Sequence, residues 1–397
     1  MAGIDTVKTF MLIAGEPSGD LLASELVLAL RERWPDAKFF GAGGPKMEAA
    51  GVELAFDMRD HAIIGIPTPG KILALRYVAH ELRFLAAERR PDAIIGVDYG
   101  GFNLRFGHII KSHARANPLV MGNPKLVQFV SPQVWASRPG RAQLLESDYD
   151  LLLSIFPFEK QWYAQRAPKL RVDFVGHPMI DRLSPQSRVH RPESTVSGSE
   201  SAGSPKSKGP APMILLLPGS RKGELKQHLP VMLGAMKIIR AQLPAATAKM
   251  VLPNEELKQI AVSAKPDVEI QVGNLHEALA GADLAITKTG TVTMECAYFG
   301  VPAVTMYKKT FLGLAITLGI VTVKSLTMPN LMAGEEVYPE FIQAAATPEN
   351  IARAAMELLQ NEPRRQKIKS GLVKIIASLG EPGASRRAAE AISSLFQ

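Results

Sequence analysis

Two carboxylates close apolar runs, and their placement raises the first question of chemistry. Asp98 follows the run Ala93 to Val97 and precedes Tyr99-Gly100-Gly101-Phe102-Asn103. A carboxylate at the end of a buried strand faces a cleft, and a partly buried one can take the proton of an attacking hydroxyl as general base. The same residue also suits the cap of the next turn. Glu16 stands in Gly15-Glu16-Pro17-Ser18-Gly19-Asp20, after the run Thr9 to Ala14. Glycines there permit a tight turn, the following helix offers free amides, and Glu16 can accept from a hydroxyl. A plain βα turn capped by Ser18 or Asp20 accounts for the same residues.

Two further clusters suit an anion. Leu217-Pro218-Gly219-Ser220-Arg221-Lys222-Gly223-Glu224 joins an apolar run to a basic helix start. Gly219 and Ser220 offer backbone amides and a hydroxyl, and Arg221 offers a charged fork, a cradle fit for a pyrophosphate. Basic residues are unfavourable at the positive end of a helix dipole unless an anion sits there. The spacing is not that of a nucleotide-hydrolysing phosphate loop. The second cluster is Thr287-Lys288-Thr289-Gly290-Thr291-Val292-Thr293-Met294-Glu295. Thr289, Gly290 and Thr291 suit a diphosphate, and Glu295, one turn into the helix, suits the paired hydroxyls of a ribose.

The elements that must hold these clusters follow from the pattern of apolar runs. Thr9–Ala14, Ala37–Gly41, Ala93–Val97, Leu126–Val130, Leu151–Ile155 and Val172–Val175 read as buried strands, and Asp20–Arg33 and Lys71–Glu88 as helices between them. The alternation restarts with strands at Met213–Leu217, Lys249–Leu252, Glu269–Val272, Leu284–Thr287 and Ala303–Met306, and helices at Leu229–Gln242, His276–Ala280, Ile351–Ala377 and Ser385–Phe396. Such alternation predicts an α/β fold: two doubly wound, Rossmann-like domains facing a cleft at the carboxyl ends of their strands. Residues 1–183 form the first domain and 213–384 the second. Helix 385–397 packs back on the first or on a partner subunit. Between the domains, 184–212 is rich in Ser, Pro, Gly and Lys and reads as a flexible linker.

Composition narrows the classes. The 397 residues are 46% hydrophobic and 21% charged, as in a globular protein. The single cysteine, Cys296, excludes an intrachain disulfide framework and zinc sites built on cysteine pairs, and reads as a small packing residue. The start Met-Ala-Gly-Ile-Asp lacks the pattern of a signal peptide, and the longest near-apolar stretch, Phe311–Val323, is too short to span a bilayer. The formal charge of +8 suits phosphorylated ligands or an anionic membrane. Its basic residues are scattered and form no nucleic-acid motif, so no nucleic acid is expected as partner. Ile63–Leu85 mixes apolar residues with Lys71, Arg76, His80 and Arg83, which fits either a membrane-facing surface or a core-facing helix. His177, in a Gly-His-Pro turn, reads as structural, and His61 and His80 as surface or satisfied core residues.

These clusters stand among longer motifs. They include Val130-Ser131-Pro132-Gln133-Val134-Trp135-Ala136-Ser137-Arg138-Pro139-Gly140-Arg141, Phe156-Pro157-Phe158-Glu159 and Gly176-His177-Pro178. Pro329-Asn330-Leu331-Met332-Ala333-Gly334 and Pro339-Glu340-Phe341-Ile342-Gln343 follow in the same order. Together they resemble the lipid-A-disaccharide synthase family over nearly the whole chain except the linker. The resemblance implies a glycosyltransferase-B fold and an inverting transfer that needs no metal or other cofactor. It implies UDP-2,3-diacylglucosamine as donor and 2,3-diacylglucosamine 1-phosphate (lipid X) as acceptor. The products are then the β-1,6-linked disaccharide 1-phosphate and UDP. Work at the cytoplasmic face of the inner membrane, contact with its anionic surface, and a homodimer with exchanged C-terminal segments are implied too. On this reading Asp98 is the base and Glu16 assists it, while Arg221 and Ser220 hold the diphosphate. Ser18, Asn103, Trp135, Arg138, Asn330, Glu340 and Gln343 contact donor or acceptor. The sequence departs from the family pattern at Pro17, Tyr99-Gly100-Gly101, Ser137 and Lys288. The competing readings are another UDP-sugar enzyme of the same fold, a UDP-N-acetylglucosamine transferase or an epimerase, and a non-catalytic lipid- or anion-binding relative.

Overall fold

A computed structural model describes residues 7–58, 69–183, 211–308, 323 and 325–397. Most of the linker, His61, the start of the 63–85 segment and the run 311–322 lie outside the described residues. The chain divides into two compact units, Met1–Arg182 with Leu379–Gln397, and Leu183–Ser378.

The first unit holds β1 Thr9–Ala14, β2 Lys38–Gly43, β3 Glu53–Asp57, β4 Ala93–Val97, β5 Lys125–Phe129, β6 Leu151–Ser154 and β7 Val172–Phe174. They form one sheet in the order β3-β2-β1-β4-β5-β6-β7, with every neighbouring pair parallel. Helices cover both faces, so the central strands are apolar throughout: Phe10 to Ala14 of β1 are all buried. The second unit holds β8 Met213–Leu217, β9 Thr247–Leu252, β10 Glu269–Val272, β11 Leu284–Lys288, β12 Ala303–Tyr307 and β13 Glu340–Ile342. Its order is β10-β9-β8-β11-β12-β13, again parallel.

In both sheets the strand order reverses once, between β1 and β4 and between β8 and β11. Loops leaving adjacent strands at such a point diverge and open a crevice. The loops after these four strands carry Glu16, Asp98, Arg221 and Thr289–Thr291. Topology alone therefore gathers each pair of clusters at one place within its unit.

The structure changes several element boundaries, each for a local reason. The first helix is Pro17–Arg33, with proline at its first position, where no backbone donor is needed. The helix read from Leu229 begins at Lys222 and runs through Pro230 to Gln242. The stretch 351–377 is two helices, Pro348–Gln360 and Glu362–Ser378. Asn361 leaves the helix between them, and its side chain accepts from the Arg364 amide at 3.0 Å, capping the second start. The edge strands β3 and β13 escaped the reading because their half-exposed, charged residues lack an apolar run.

The last helix, Ala384–Ser393, packs on Pro17–Arg33 within the first unit. Asp181 accepts from the amides of Gly383 and Ala384, and Arg387 donates to the Val175 carbonyl at 2.8 Å. Phe396 closes the contact, edge-on to Phe10 and Trp34 with centroids at 6.3 and 5.9 Å. His177 has its Nδ1 accepting from the Met179 amide at 3.1 Å, and burial pushes its pKa down to about 4, so it stays neutral. Cys296 is buried in a helix, and desolvation pushes its thiol pKa up.

Candidate active site

Asp98 sits at the end of β4 in an unusual backbone. Asp98 and Tyr99 both have positive φ, 52° and 43°, and Val130 after β5 has φ 67°. Three such residues, one of them β-branched, cost about 1–3 kcal/mol each and persist only where neighbours hold them. The holder is Gln128, a fully buried amide in the apolar strand β5. Its Nε2 donates to the carbonyls of Asp98 at 2.9 Å and Val130 at 3.2 Å. Asn103 adds a second donor to the Asp98 carbonyl at 3.0 Å. Gly96 makes room for both amides: a Cβ there would lie 2.6 Å from Gln128 Oε1 and 2.9 Å from Asn103 Cγ. Replacing Gln128 by leucine keeps the volume but removes the donor. We expect a loss of about 1–3 kcal/mol in stability, read from the urea midpoint, and a fall in kcat that exceeds any change in KM.

The Asp98 carboxyl itself is half-buried. Burial raises its pKa above the usual carboxylate range, against the Tyr99 amide and the Ser18 hydroxyl, which favour the ionised form. Ser18 reaches Asp98 Oδ2 at 3.5 Å, a weak contact. Gly15 is obligatory here, because a Cβ would meet the Tyr99 ring at 2.3 Å. Glu16, Asp98, Tyr99, Phe102, Arg105 and Arg138 line one cavity of about 710 Å³, with Ile72, Leu75 and Phe106 extending its apolar wall. The cavity thus joins a recessed base to apolar surface and to cations.

Two residues read as ligand contacts face inward instead. Asn103 is buried, and its amide serves the Asp98 and Ile13 carbonyls. Trp135 is buried and donates from Nε1 to Glu159 Oε1 at 2.9 Å. Glu159, wholly buried, also accepts from the Phe156 amide at 3.4 Å, and burial lifts its pKa from 4.5 to about 7. The folded protein therefore keeps this proton over a range in which the unfolded chain has lost it. The contribution of Glu159 to stability should fall by roughly 3 kcal/mol as pH rises from 4.5 to about 7 and level off above, while neutral His177 acts in the opposite sense between about pH 4 and 6.5. The difference in denaturation midpoint between wild type and Glu159→Gln, compared at about pH 5 and about pH 8, isolates the Glu159 contribution.

In the second unit, Glu224 organises the anion cradle. It accepts from the Ser220 amide at 3.1 Å, from Arg221 at 3.4 Å and from Lys288 at 3.4 Å. Gly219, with φ 129°, lets it approach: a Cβ there would lie 2.5 Å from Glu224 Oε2. Lys288 Nζ would in turn lie 3.0 Å from a Cβ on Gly290, whose φ is 134°. The loops after β8 and β11 are thus tied by one ion pair. The basic helix start has part of its counter-charge inside the protein, which the motif alone did not reveal. Arg221, Lys288 and the helix start still outweigh the one carboxylate.

Other assigned residues have definite partners. Glu295 lies 3.1 Å from His276 Nε2, and the Thr293 hydroxyl donates to the Gly290 carbonyl at 2.7 Å. Thr289 is buried and Thr291 exposed. Asn330, read as a ligand contact, is buried with its amide bonded to backbone: Oδ1 accepts from Val337 and Tyr338, and Nδ2 donates to the Tyr338 carbonyl. Glu340 accepts from Ser325 and from the Leu326 amide. Gln343 follows β13 with φ 55°. His228, which the motifs did not single out, links the Pro218 carbonyl at 2.7 Å to the Lys308 amide at 3.1 Å. Among the described residues, no group of three or more His, Cys, Asp and Glu side chains could hold a metal ion.

Known proteins supply the remaining observation. Residues 10–395 match the family model for lipid-A-disaccharide synthetase. The chain belongs to that family. Lipid-A-disaccharide synthase of Syntrophus aciditrophicus is 34% identical over 388 residues, covering 96% of each chain. That of Solibacter usitatus is 35% identical over 402 residues, covering 98% of this chain and 97% of the relative. Among solved structures, a putative UDP-N-acetylglucosamine 2-epimerase from Listeria monocytogenes superposes with a TM-score of 0.59 at 17% identity, covering 98% of this chain and 96% of its own. MurG of Acinetobacter baumannii gives 0.53 at 16% identity, covering 98% and 99%. These likenesses show the glycosyltransferase-B fold, and the family match makes the chain a hexosyltransferase of lipid A biosynthesis.

Proposed function

We propose that this chain condenses UDP-2,3-diacylglucosamine with 2,3-diacylglucosamine 1-phosphate, releasing UDP and a β-1,6-linked disaccharide 1-phosphate. The observation that carries the reading is a family match spanning residues 10–395, on a chain whose recessed Asp98 opens into an apolar-walled cavity. In this reading the acceptor 6-hydroxyl attacks the anomeric carbon of the donor sugar from the face opposite UDP. Its proton passes to Asp98, a new C–O bond forms, and the bond to the diphosphate breaks with its electron pair leaving on UDP. Glu16, in the same cavity, positions the acceptor. Arg221, Lys288 and the Ser220 turn take the charge that grows on the diphosphate, a task another enzyme gives to a divalent cation. Glu295 and the Thr289–Thr291 turn hold the ribose and phosphates.

The protein would work on the cytoplasmic face of the inner membrane. Helix Pro69–Arg89 supports contact with a bilayer: Leu73, Tyr77 and Phe84 fall on one stripe and are 64%, 61% and 53% exposed. The same helix supplies Ile72, Leu75 and Arg76 to the cavity, so acyl chains could pass from bilayer to site along it. Among the described residues no helix is long and apolar enough to cross a membrane.

The test is turnover by the purified protein with both diacylated substrates, in chelator, scored by UDP release and by mass spectrometry of the lipid product. Disaccharide formed at an undiminished rate in chelator supports the reading. Turnover of UDP-N-acetylglucosamine alone, with none of the diacylated pair, would assign the chain to another reaction of the fold.

A further inference from the structure

Four arginines of the first unit have a carboxylate partner among the described residues. Arg89 pairs with Glu53, Arg115 with Asp148, Arg171 with Asp173 and Arg182 with Glu25. Arg105, on helix Gly100–Ala116, and Arg138 and Arg141, just before and at the end of the turn Pro139–Arg141, line the Asp98 cavity together. Among the described residues none of the three makes an ion pair or a side-chain hydrogen bond.

Their proximity is costly as it stands. Burial and repulsion from Arg138 and Arg105 hold the Arg141 guanidinium below its usual pKa. Arg138 and Arg141 are brought together by backbone, since the Arg141 amide donates to the Arg138 carbonyl at 3.0 Å. The turn in turn follows Trp135, which the buried Glu159 anchors. The structure therefore builds a support under a cluster of like charges and, among the described residues, pairs none of the three with a carboxylate. Guanidinium forks match the oxygen geometry of a phosphate, which a set of three can hold from several sides. The apolar wall of Leu75, Phe102 and Phe106 in the same cavity suits a ligand that also carries hydrocarbon.

We propose that Arg105, Arg138 and Arg141 form a phosphate seat. Resting on the transfer reading above, its occupant is the phosphate monoester of the acceptor sugar. Held there, the acceptor is fixed at its anomeric end while its 6-hydroxyl, at the opposite end of the ring, is offered to Asp98. The donor diphosphate belongs to the Arg221 cradle and makes no demand on these three residues.

The test compares acceptor with and without its phosphate at saturating donor, in wild type, Arg105→Gln, Arg141→Gln and Arg141→Lys. The wild type should prefer the phosphorylated acceptor in kcat/KM. Each glutamine variant should reduce that preference about tenfold, and Arg141→Lys should restore part of it. UDP affinity and binding to phosphatidylglycerol vesicles should stay as in wild type. An unchanged preference overturns the proposal. So does a loss confined to vesicle binding, which would make the cluster a headgroup contact, or a loss of UDP affinity, which would assign it to the donor. Calorimetry with glucosamine 1-phosphate separates this idea from the transfer reading. If wild type makes no disaccharide, that reading fails. Binding weakened in the glutamine variants then still supports a phosphate seat, and binding equal or absent in all four proteins overturns it.

Discussion

Asp98→Asn is expected to lower kcat by about 10²–10⁴-fold, the range attributed to a positioned general base. The side chain keeps its size and its contact with Ser18, so fold and UDP affinity should persist. The sign of the pH dependence follows from the base having to be ionised. In wild type, kcat/KM should rise with pH through the pKa of Asp98, which burial places above that of an ordinary aspartate. The limb should vanish in the asparagine variant. Ser18→Ala removes a hydrogen bond that favours the carboxylate, so its limb should move to higher pH. A pH profile with the limb unmoved in both variants would mean that another group takes the proton.

The second large effect concerns the leaving group. Arg221→Ala should reduce kcat/KM by about 10²–10³-fold, as when one preorganised charge donor is removed from a developing anion. Arg221→Lys should retain part of the activity, because it keeps the charge and loses the fork. Stability should change little. The Arg221–Glu224 contact is 3.4 Å long with the arginine 46% exposed, and such pairs contribute at most about 1 kcal/mol. Single-turnover rates with UDP affinity measured alongside separate lost binding from lost charge stabilisation. A variant that loses affinity and turns over at the wild-type rate would limit Arg221 to holding the ground state.

Much of this architecture could be read from residues alone, because the central strands are apolar runs ended by glycine and a polar residue. That pattern marks a parallel sheet and its ligand-bearing loops together, which is why β1, β4, β8 and β11 and the clusters after them were legible. The edge strands β3 and β13 were not, since half-exposed strands carry mixed residues. Site residues divided along another line. Asn103, Trp135 and Asn330 look like ligand contacts because they are polar or aromatic in loop-rich motifs. In the folded chain they satisfy buried backbone or carboxylate groups, the commoner fate of buried polar side chains. Gln128 shows the reverse. Its one signal was a polar residue inside the apolar strand Lys125–Phe129, a local inconsistency that tertiary structure turns into support for Asp98. Glu224 and Glu159 owe their roles to partners distant in sequence, Lys288 and Trp135, which no local pattern connects.

Activation of an acceptor hydroxyl by Asp98 can be measured in a single-turnover reaction of wild type and Asp98→Asn with the diacylated donor and acceptor, following UDP and disaccharide together. Wild type should give equal amounts of UDP and β-linked disaccharide, with both slowed by the same large factor in the variant. Disaccharide formed by Asp98→Asn at the wild-type rate would mean that Asp98 is not the base.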